Sequence, residues 1–426
     1  MRNLILLLVA VGCVFAQDAT RTDELCGRFS NEGGARRLEL WGTPEQRGFA
    51  HGYLLGKEIL EAFESDLLVM MMGRFARYES RVVGELVPHF DFTKDEEAEL
   101  KGILSGLEAR IPEAERMLKR LKRPMTLNDL KAANTAGDWA PYGCSSLALS
   151  GHFTKDGAPA VVRNFDYFGL KLLLDFQTVV VVRPEPGRFG YAGVSYPGSI
   201  GVITGMNTES VFVAIHDVPV KPSDDIFARP NVPRLVAQRR ILLGTRGPDA
   251  LEATRKNLKI WPTLFGNNFM VATGAAKPGA PFAAVFEYDL REGLDDGVTQ
   301  RLGDRGGAAT DVLASTNHHR ARGVQEELAA CERYAALLQA AEARREKGAL
   351  SVEELFAVAS VAALPKEGRK QVKLMHGTVH QAVALLGLCE LHVKQGRSGS
   401  NIRDVKAVSI NVREAVKALP AAATVR

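Results

Sequence analysis

The sequence predicts an α+β fold built on antiparallel sheets, and three observations carry that prediction. Helical periodicity comes in blocks instead of alternating with single strands. Between the blocks lie paired β-patterned runs joined by short turn sequences, the pattern of hairpins. No GxGxxG or GxxxxGK[ST] loop follows a strand, so a parallel nucleotide-binding sheet has no support. At 426 residues, 46% hydrophobic and 24% charged, the chain has material for one large or two modest cores.

The N-terminus reads as a targeting segment. Arg2 precedes an apolar run, Leu4 to Val11, too short to span a bilayer and fitting a secretory core. Residues 1–16 are expected to be a signal peptide, with Val14-Phe15-Ala16 freeing a chain that starts at Gln17. Ala10-Val11-Gly12-Cys13 also resembles a lipobox, although it lacks a leucine three residues before Cys13. The expected destination is therefore secreted or periplasmic, with a membrane as partner only if Cys13 is lipidated.

Residues 17–143 read as a helical prosegment or light chain. Gly48, Gly52 and Gly56 recur along one face of a helix from Arg47 to Phe63, as close helix packing allows. Thr93-Lys94-Asp95-Glu96 and Thr126 to Asp129 have the form of capping boxes before helices. At Cys144 the period changes from helical to alternating. Ser146 to Ser150, a Lys155-Asp156-Gly157 turn and Pro159 to Arg163 make a first hairpin. Gln177 to Arg183 with Phe189 to Val194, and Ser199 to Gly205 with Val211 to His216, make two more. Leu235 to Leu258 is helical with a break at Gly247-Pro248. Phe269 to Thr273 pairs with Ala283 to Tyr288, and Gly293 to Ala309 is a loop. Gln325 to Lys347 and Val352 to Ala363 are helical. Thr378 to Leu386 pairs with Cys389 to Lys394, and Val405 to Val412 is a last strand. Residues 144–426 are thus the expected catalytic domain.

Composition excludes several functions. Lys+Arg 54 against Asp+Glu 50 gives a net charge of +4, too small an excess for a nucleic-acid partner. Cys26, Cys144, Cys331 and Cys389 beyond the signal segment do not make a disulfide scaffold; at most one pair is expected among Cys26, Cys331 and Cys389. No CxxC occurs, and adjacent His318-His319 on a strand point to opposite faces, so no metal and no cofactor is expected. Met70-Met71-Met72 reads as helix core.

The candidate chemistry centres on Gly143-Cys144. Arg163 and Asp166 follow Cys144 by 19 and 22 residues, where the hairpin return brings them beside it. A chain that cuts itself before Cys144 gains a nucleophile and a base on one residue. An α-amine titrates near roughly 7.7–8.0 and a thiol near about 8.5, so the freed amine is close to what a general base wants. Arg163 can hold a thiolate or a substrate carboxylate, and Asp166 a protonated α-amine. Acyl transfer also needs oxyanion donors; Asn207, Asn268 and Asn317 are the candidates, each also suited to a structural turn.

These residues resemble a family. Tyr142-Gly143-Cys144-Ser145-Ser146 and Arg163-Asn164-Phe165-Asp166-Tyr167 look like the start of the mature chain in the acyl-CoA:6-aminopenicillanate acyltransferase-like (peptidase C45) family. Its members are cysteine N-terminal-nucleophile hydrolases related to choloylglycine hydrolase and penicillin V acylase. Arg47-Gly48-Phe49-Ala50-His51-Gly52, Gly205-Met206-Asn207, Phe286-Glu287, Thr316-Asn317-His318 and Thr378-Val379-His380 extend the likeness in the same order. Thr208-Glu209-Ser210-Val211 departs from the family pattern.

The resemblance implies a four-layer αββα sandwich and autocatalytic cleavage between Gly143 and Cys144. It casts Cys144 as nucleophile, Arg163 and Asp166 as its supports, Asn317 as side-chain oxyanion donor, Asn207 as the second, and Asn268 as a reserve. The expected function is an exported amidohydrolase or N-acyltransferase acting on a small acylated amide or thioester. Its own cleaved N-terminal segment stays bound as partner. Two other readings stand beside it: a phospholipase B-like or ceramidase-like lipid hydrolase, and a non-catalytic lipoprotein that binds acylated ligands.

Overall fold

The computed structural model describes residues 25–73, 75–138, 143–168, 171–220, 230–261, 263–264, 266–276, 279–289, 297–303, 311–323, 331–363 and 376–421. The targeting segment with Cys13, Tyr142 and most of the 293–309 loop lie outside them.

Two strands stand where none was expected. β1 (Gly27–Glu32) and β2 (Ala35–Trp41) form an antiparallel hairpin. The signal is present in the sequence: Leu38 and Leu40 alternate with charged Arg37 and Glu39, the period of a half-buried strand. Gly33 and Gly34 turn the chain at φ 57° and 83°, a region glycine enters without strain. The segment before Cys144 is therefore not only helical.

Its helices follow. α1 (Pro44–Ala62) and α2 (Lys94–Arg110) each start with a reciprocal capping box, at Thr43 with Gln46 and at Thr93 with Glu96. They pack so closely that a Cβ at Gly48 or Gly52 would collide with the carbonyls of Glu99 and Ile103. One at Gly106 would collide with that of Phe49. α3 (Leu127–Thr135) completes the segment.

After Cys144 the hairpins appear as the turn sequences predict. β3 (Gly143–Gly151) and β4 (Gly157–Phe168) pair with Cys144 opposite Phe165 and Ser146 opposite Arg163. β5 (Thr178–Arg183), β6 (Tyr191–Ser195), β7 (Thr204–Asn207) and β8 (Val211–Val218) follow. The third hairpin has a shorter first strand than expected. α4 (Arg234–Gly244) and α5 (Ala250–Ile260) are split by a 3₁₀ turn at Gly247–Asp249. β9 (Gly266–Thr273), β10 (Ala283–Tyr288), β11 (Val298–Arg301) and β12 (Val312–Ser315) come next. β11 lies inside the stretch expected to be loop. α6 (Glu332–Glu342), α7 (Val352–Ser360), β13 (His376–Leu385), β14 (Glu390–Gln395), β15 (Val408–Asn411) and α8 (Val412–Lys417) finish the chain.

The strands form two large sheets. One has nine strands in the order β1-β2-β5-β6-β7-β8-β9-β10-β11, the other six in the order β12-β3-β4-β13-β14-β15. β2 joins β5 in parallel, so the segment before Cys144 is hydrogen-bonded into a sheet made by residues after it. Val179 and Val181 share one apolar cluster with Ala148, Val161 and Ala382 of the other sheet. Val180 and Val182 point the other way, into a cluster with Leu55, Ile59, Ile103 and Ile241 of α1, α2 and α4. That two-sided burial explains the unbroken valine run at 179–182. On the six-stranded sheet, Leu147, Leu149 and Val162 pack against Leu337, Leu355 and Val358 of α6 and α7.

Candidate active site

Strand parity sorts the residues around Cys144. On β3 and β4, Cys144, Ser146, Arg163 and Phe165 have the parity of Ala148 and Val161, which face the nine-stranded sheet. Asn164 and Asp166 have the opposite parity, and Asn164 Nδ2 donates to the Ala359 carbonyl of α7 at 2.7 Å. The three-residue step from Arg163 to Asp166 thus puts them on opposite faces. Arg163 meets the sulfur of Cys144, while Asp166 stands in register with Gly143.

Arg163 is fully buried. Its Nη2 lies 3.1 Å from Cys144 Sγ and donates to the Ile215 carbonyl at 2.7 Å. Its Nε reaches Thr204 Oγ1 at 3.5 Å. The guanidinium therefore ties β7 and β8 of one sheet to the nucleophile candidate on the other. Burial pushes the Cys144 thiol up to about 11; Arg163 offsets part of this, while Asp217 and Asp166 add to it. Near neutral pH the thiol is thus neutral.

The nitrogen of Cys144 has its own partner. It donates to Asn317 Oδ1 at 2.7 Å, and Asn317 Nδ2 donates to the Asp217 carbonyl at 2.8 Å. Asn317 stands beside Cys144, with its oxygen turned to the Cys144 nitrogen and its Nδ2 turned to Asp217.

Asp166 does not touch the Cys144 nitrogen. Its Oδ2 accepts from Arg333 Nη1 at 3.0 Å and its Oδ1 from Thr378 Oγ1 at 2.5 Å. Burial raises its pKa, opposed by Arg333 and Thr378. Arg333 is the residue that sequence reasoning missed. Its Nη1 also donates to the Cys144 carbonyl at 3.1 Å and its Nη2 to Asn317 Oδ1 at 2.7 Å. It joins Asp166, Asn317 and the main chain of Cys144 in one network. A lone arginine in a helix, 16 residues after Asn317, carries no spacing signal. Thr378 stood in a quoted motif but without a role.

The other two asparagine candidates are engaged away from Cys144. Asn207 gives both amide hydrogens to the Leu242 and Thr245 carbonyls, at 2.9 Å each, while its oxygen accepts from the nitrogens of Glu209 and Val211. It anchors the β7–β8 turn and α4. Asn268 donates to the Thr316 and His318 carbonyls at 2.9 and 2.7 Å, so it shapes the loop that carries Asn317. Neither amide is left to meet an oxyanion. At Gly143 φ is not in the left-handed region. A Cβ there would lie 3.2 Å from Asp166 Cβ, so glycine serves close strand approach.

Surrounding groups complete the picture. His216 Nε2 meets Ser146 Oγ at 2.8 Å and its Nδ1 the Asn268 carbonyl at 3.0 Å; burial first, then Arg163, hold this imidazole neutral. Asp217 pairs with Arg234, which also reaches Asp138. Cys26, Cys331 and Cys389 are all free thiols. Cys331, two residues before Arg333, is half-buried. Burial raises its pKa, but contacts with His318, the Tyr334 backbone, Thr316 and Arg333 outweigh that and bring it down to about 6. His318 Nδ1 meets Thr316 Oγ1 at 3.0 Å and His319 turns to Asp289 and the Asn267 carbonyl. Among the described residues no group of three His, Cys, Asp or Glu side chains could hold a metal ion.

An apolar cavity of about 60 Å³ adjoins the site. Tyr167, Leu173, Ile203 and Leu235 line it together with Leu67 and Met70 from the segment before Cys144. Cys144 belongs to the apolar cluster that forms these walls.

No protein-family model matches the chain, and no curated protein matches its sequence. Solved structures do resemble it. The Caenorhabditis elegans N-acylethanolamine-hydrolyzing acid amidase ortholog is 19% identical, covering 62% of this chain and 98% of its own, with a TM-score of 0.40. A variant of conjugated bile acid hydrolase from Clostridium perfringens is 14% identical, covering 63% and 96%, also with a TM-score of 0.40. Penicillin V acylase from Agrobacterium tumefaciens is 11% identical, covering 58% and 82%, with a TM-score of 0.36. At this level of likeness the chemistry has to be read from the side chains themselves.

Proposed function

We propose that this chain is an exported, self-processing cysteine amidohydrolase with the αββα N-terminal-nucleophile fold. The observation that carries the reading is the pair of contacts on Cys144: Arg163 on its sulfur at 3.1 Å and Asn317 on its nitrogen at 2.7 Å. A structural cysteine needs neither. In the maturation step Cys144 Sγ attacks the Gly143 carbonyl carbon, the peptide bond breaks and a thioester forms. Water then releases the Gly143 carboxylate and regenerates the thiol, leaving Cys144 with a free α-amine. Arg333 holds the Cys144 carbonyl and Asp166 during this exchange.

In turnover the α-amine, held by Asn317, takes the thiol proton as sulfur attacks the substrate carbonyl. Arg163 steadies the developing thiolate, the role a fixed cation plays beside a nucleophilic thiol. The amine returns the proton to the leaving nitrogen, and an acyl-thioester remains on Cys144. Water, or an acceptor amine in the transferase variant of the same chemistry, takes the acyl group.

The small cavity next to the apolar cluster that holds Cys144 is lined mainly by apolar side chains, so the part of a substrate that enters it is small and apolar. A mass measurement on acid-quenched protein tests the proposed turnover. After exposure to an amide with an apolar acyl chain, the peptide that begins at Cys144 should gain the mass of that acyl group. Acylation at another residue, or undiminished turnover by Cys144→Ala, would overturn the reading.

A further inference from the structure

A second cleft lies where the segment before Cys144 meets the helices after it. Its volume is about 420 Å³, and it shares no lining residue with the cavity beside Cys144. Its walls come from both sides of the Gly143–Cys144 junction. Arg47 and the first turn of α2 contribute from one side; Arg188, Arg239 and Arg240 contribute from the other.

Cations outnumber carboxylates in the lining itself, while Asp91 and Glu99 outside it also pair with Arg240, Arg239 and Arg47. Five cationic side chains, Arg47, Lys94, Arg188, Arg239 and Arg240, line the cleft against three carboxylates, Asp95, Glu96 and Glu185. Each carboxylate is already engaged: Glu96 by Arg240 at 2.7 Å, Glu185 by Arg47 at 2.8 Å, and Asp95 by Arg188 at 3.5 Å. Glu99, behind the wall, takes one nitrogen each of Arg239 and Arg47.

Donors remain after that pairing. Arg239 is 2% exposed, yet its Nε and Nη1 have no hydrogen-bond partner, and the same holds for Nε of the equally buried Arg47. Buried guanidinium hydrogens are normally satisfied. Lys94 is exposed and has no ion-pair partner among the described residues. The N-terminal turn of the 17-residue helix α2 opens at the same place, adding the positive end of its dipole.

We propose that this cleft binds a small multivalent oxyanion, a phosphate group or phosphate monoester, between Arg239, Arg188 and Lys94. A forked guanidinium and an ammonium suit tetrahedral phosphate oxygens. Because the cations belong to both segments, the bound anion ties the two chains of a processed molecule together. Anion binding needs only the cleft and is tested separately from the chemistry at Cys144, while the tie between two chains rests on the proposed cleavage.

Thermal melting of the full chain in inorganic phosphate, at ionic strength held constant with sodium chloride, tests it. Wild type should gain several degrees along a saturating curve. A Lys94→Ala, Arg188→Ala double variant, altered only at exposed residues, should lose that response and keep wild-type melting without phosphate. Sedimentation with phosphatidylcholine vesicles, with and without phosphatidate, separates the source of the phosphate. Binding to phosphatidate vesicles that the double variant lacks assigns a lipid headgroup; a response to free phosphate alone assigns a soluble ligand. A shift that follows ionic strength alone, or an equal saturating shift in the double variant, overturns the proposal.

Discussion

At the scale of single residues, the account depends on which atom of Cys144 each neighbour serves. Arg163 serves sulfur, Asn317 serves nitrogen, and Arg333 serves the carbonyl and Asp166. The thiols should differ accordingly in the uncut precursor. A thiol pushed up to about 11 is neutral near neutral pH, whereas one at about 6 is already a thiolate. Iodoacetamide should therefore alkylate Cys331 well before Cys144. Raising the pH toward 10 should quicken only the Cys144 reaction, since Cys331 has already titrated. Peptide mapping at both pH values reads the two sites, and equal labelling near neutrality would contradict the account. Thr378 should matter through its hydrogen bond to Asp166. Thr378→Val removes a buried hydrogen bond to a carboxylate, about 1.5–3 kcal/mol, and should slow both processing and turnover, while Thr378→Ser restores them. Unchanged rates in Thr378→Val would mean that this hydrogen bond does not support the site. The placement of Arg163 and Asp166 beside Cys144 was legible because hairpin spacing follows from strand period. The surroundings of the three asparagines were not: Asn207, Asn268 and Asn317 look alike in sequence, and only the direction of each amide tells them apart.

At the scale of elements, the glycine face of α1 gives the sharpest test. A Cβ at Gly52 would strike the Ile103 backbone, which has no freedom to move away within a helix. One at Gly56 would meet the tip of Ile111 at 3.0 Å, a side chain that can rotate. Gly52→Ala should therefore destabilise by about 1–3 kcal/mol, as overpacking does, and Gly56→Ala by clearly less. Thermal melts of the two variants order them; the reverse order would mean that α1 and α2 do not pack as described. The glycine repeat and capping boxes announced these helices in advance, because both are local signals. The β1–β2 hairpin was passed over despite its alternation at Leu38 and Leu40, since its reason for existing is non-local: it pairs with β5, about 140 residues later. β11 was missed for a related reason. Its four residues, Val298–Arg301, follow a charge-rich stretch and owe their strand to β10.

At the scale of the whole molecule, the segment before Cys144 is built into the fold instead of resting on it. It supplies two strands of the nine-stranded sheet, one wall of the apolar cavity and half of the cationic cleft. Buried pairs such as Glu99 with Arg239 cross from one segment to the other. A cut at Gly143–Cys144 should thus leave both pieces associated until the protein unfolds. The layered cores and the antiparallel hairpins were foreseeable from the block order of the sequence. The extent of this interlock was not, because it rests on contacts between distant residues. The central claim is that Cys144 becomes an N-terminus, and intact mass under denaturing conditions with N-terminal sequencing tests it most directly. Purified active protein should give two chains, the larger beginning at Cys144, and Cys144→Ala should give one. A single uncleaved chain in fully active protein, or normal cleavage of Cys144→Ala, would contradict the account.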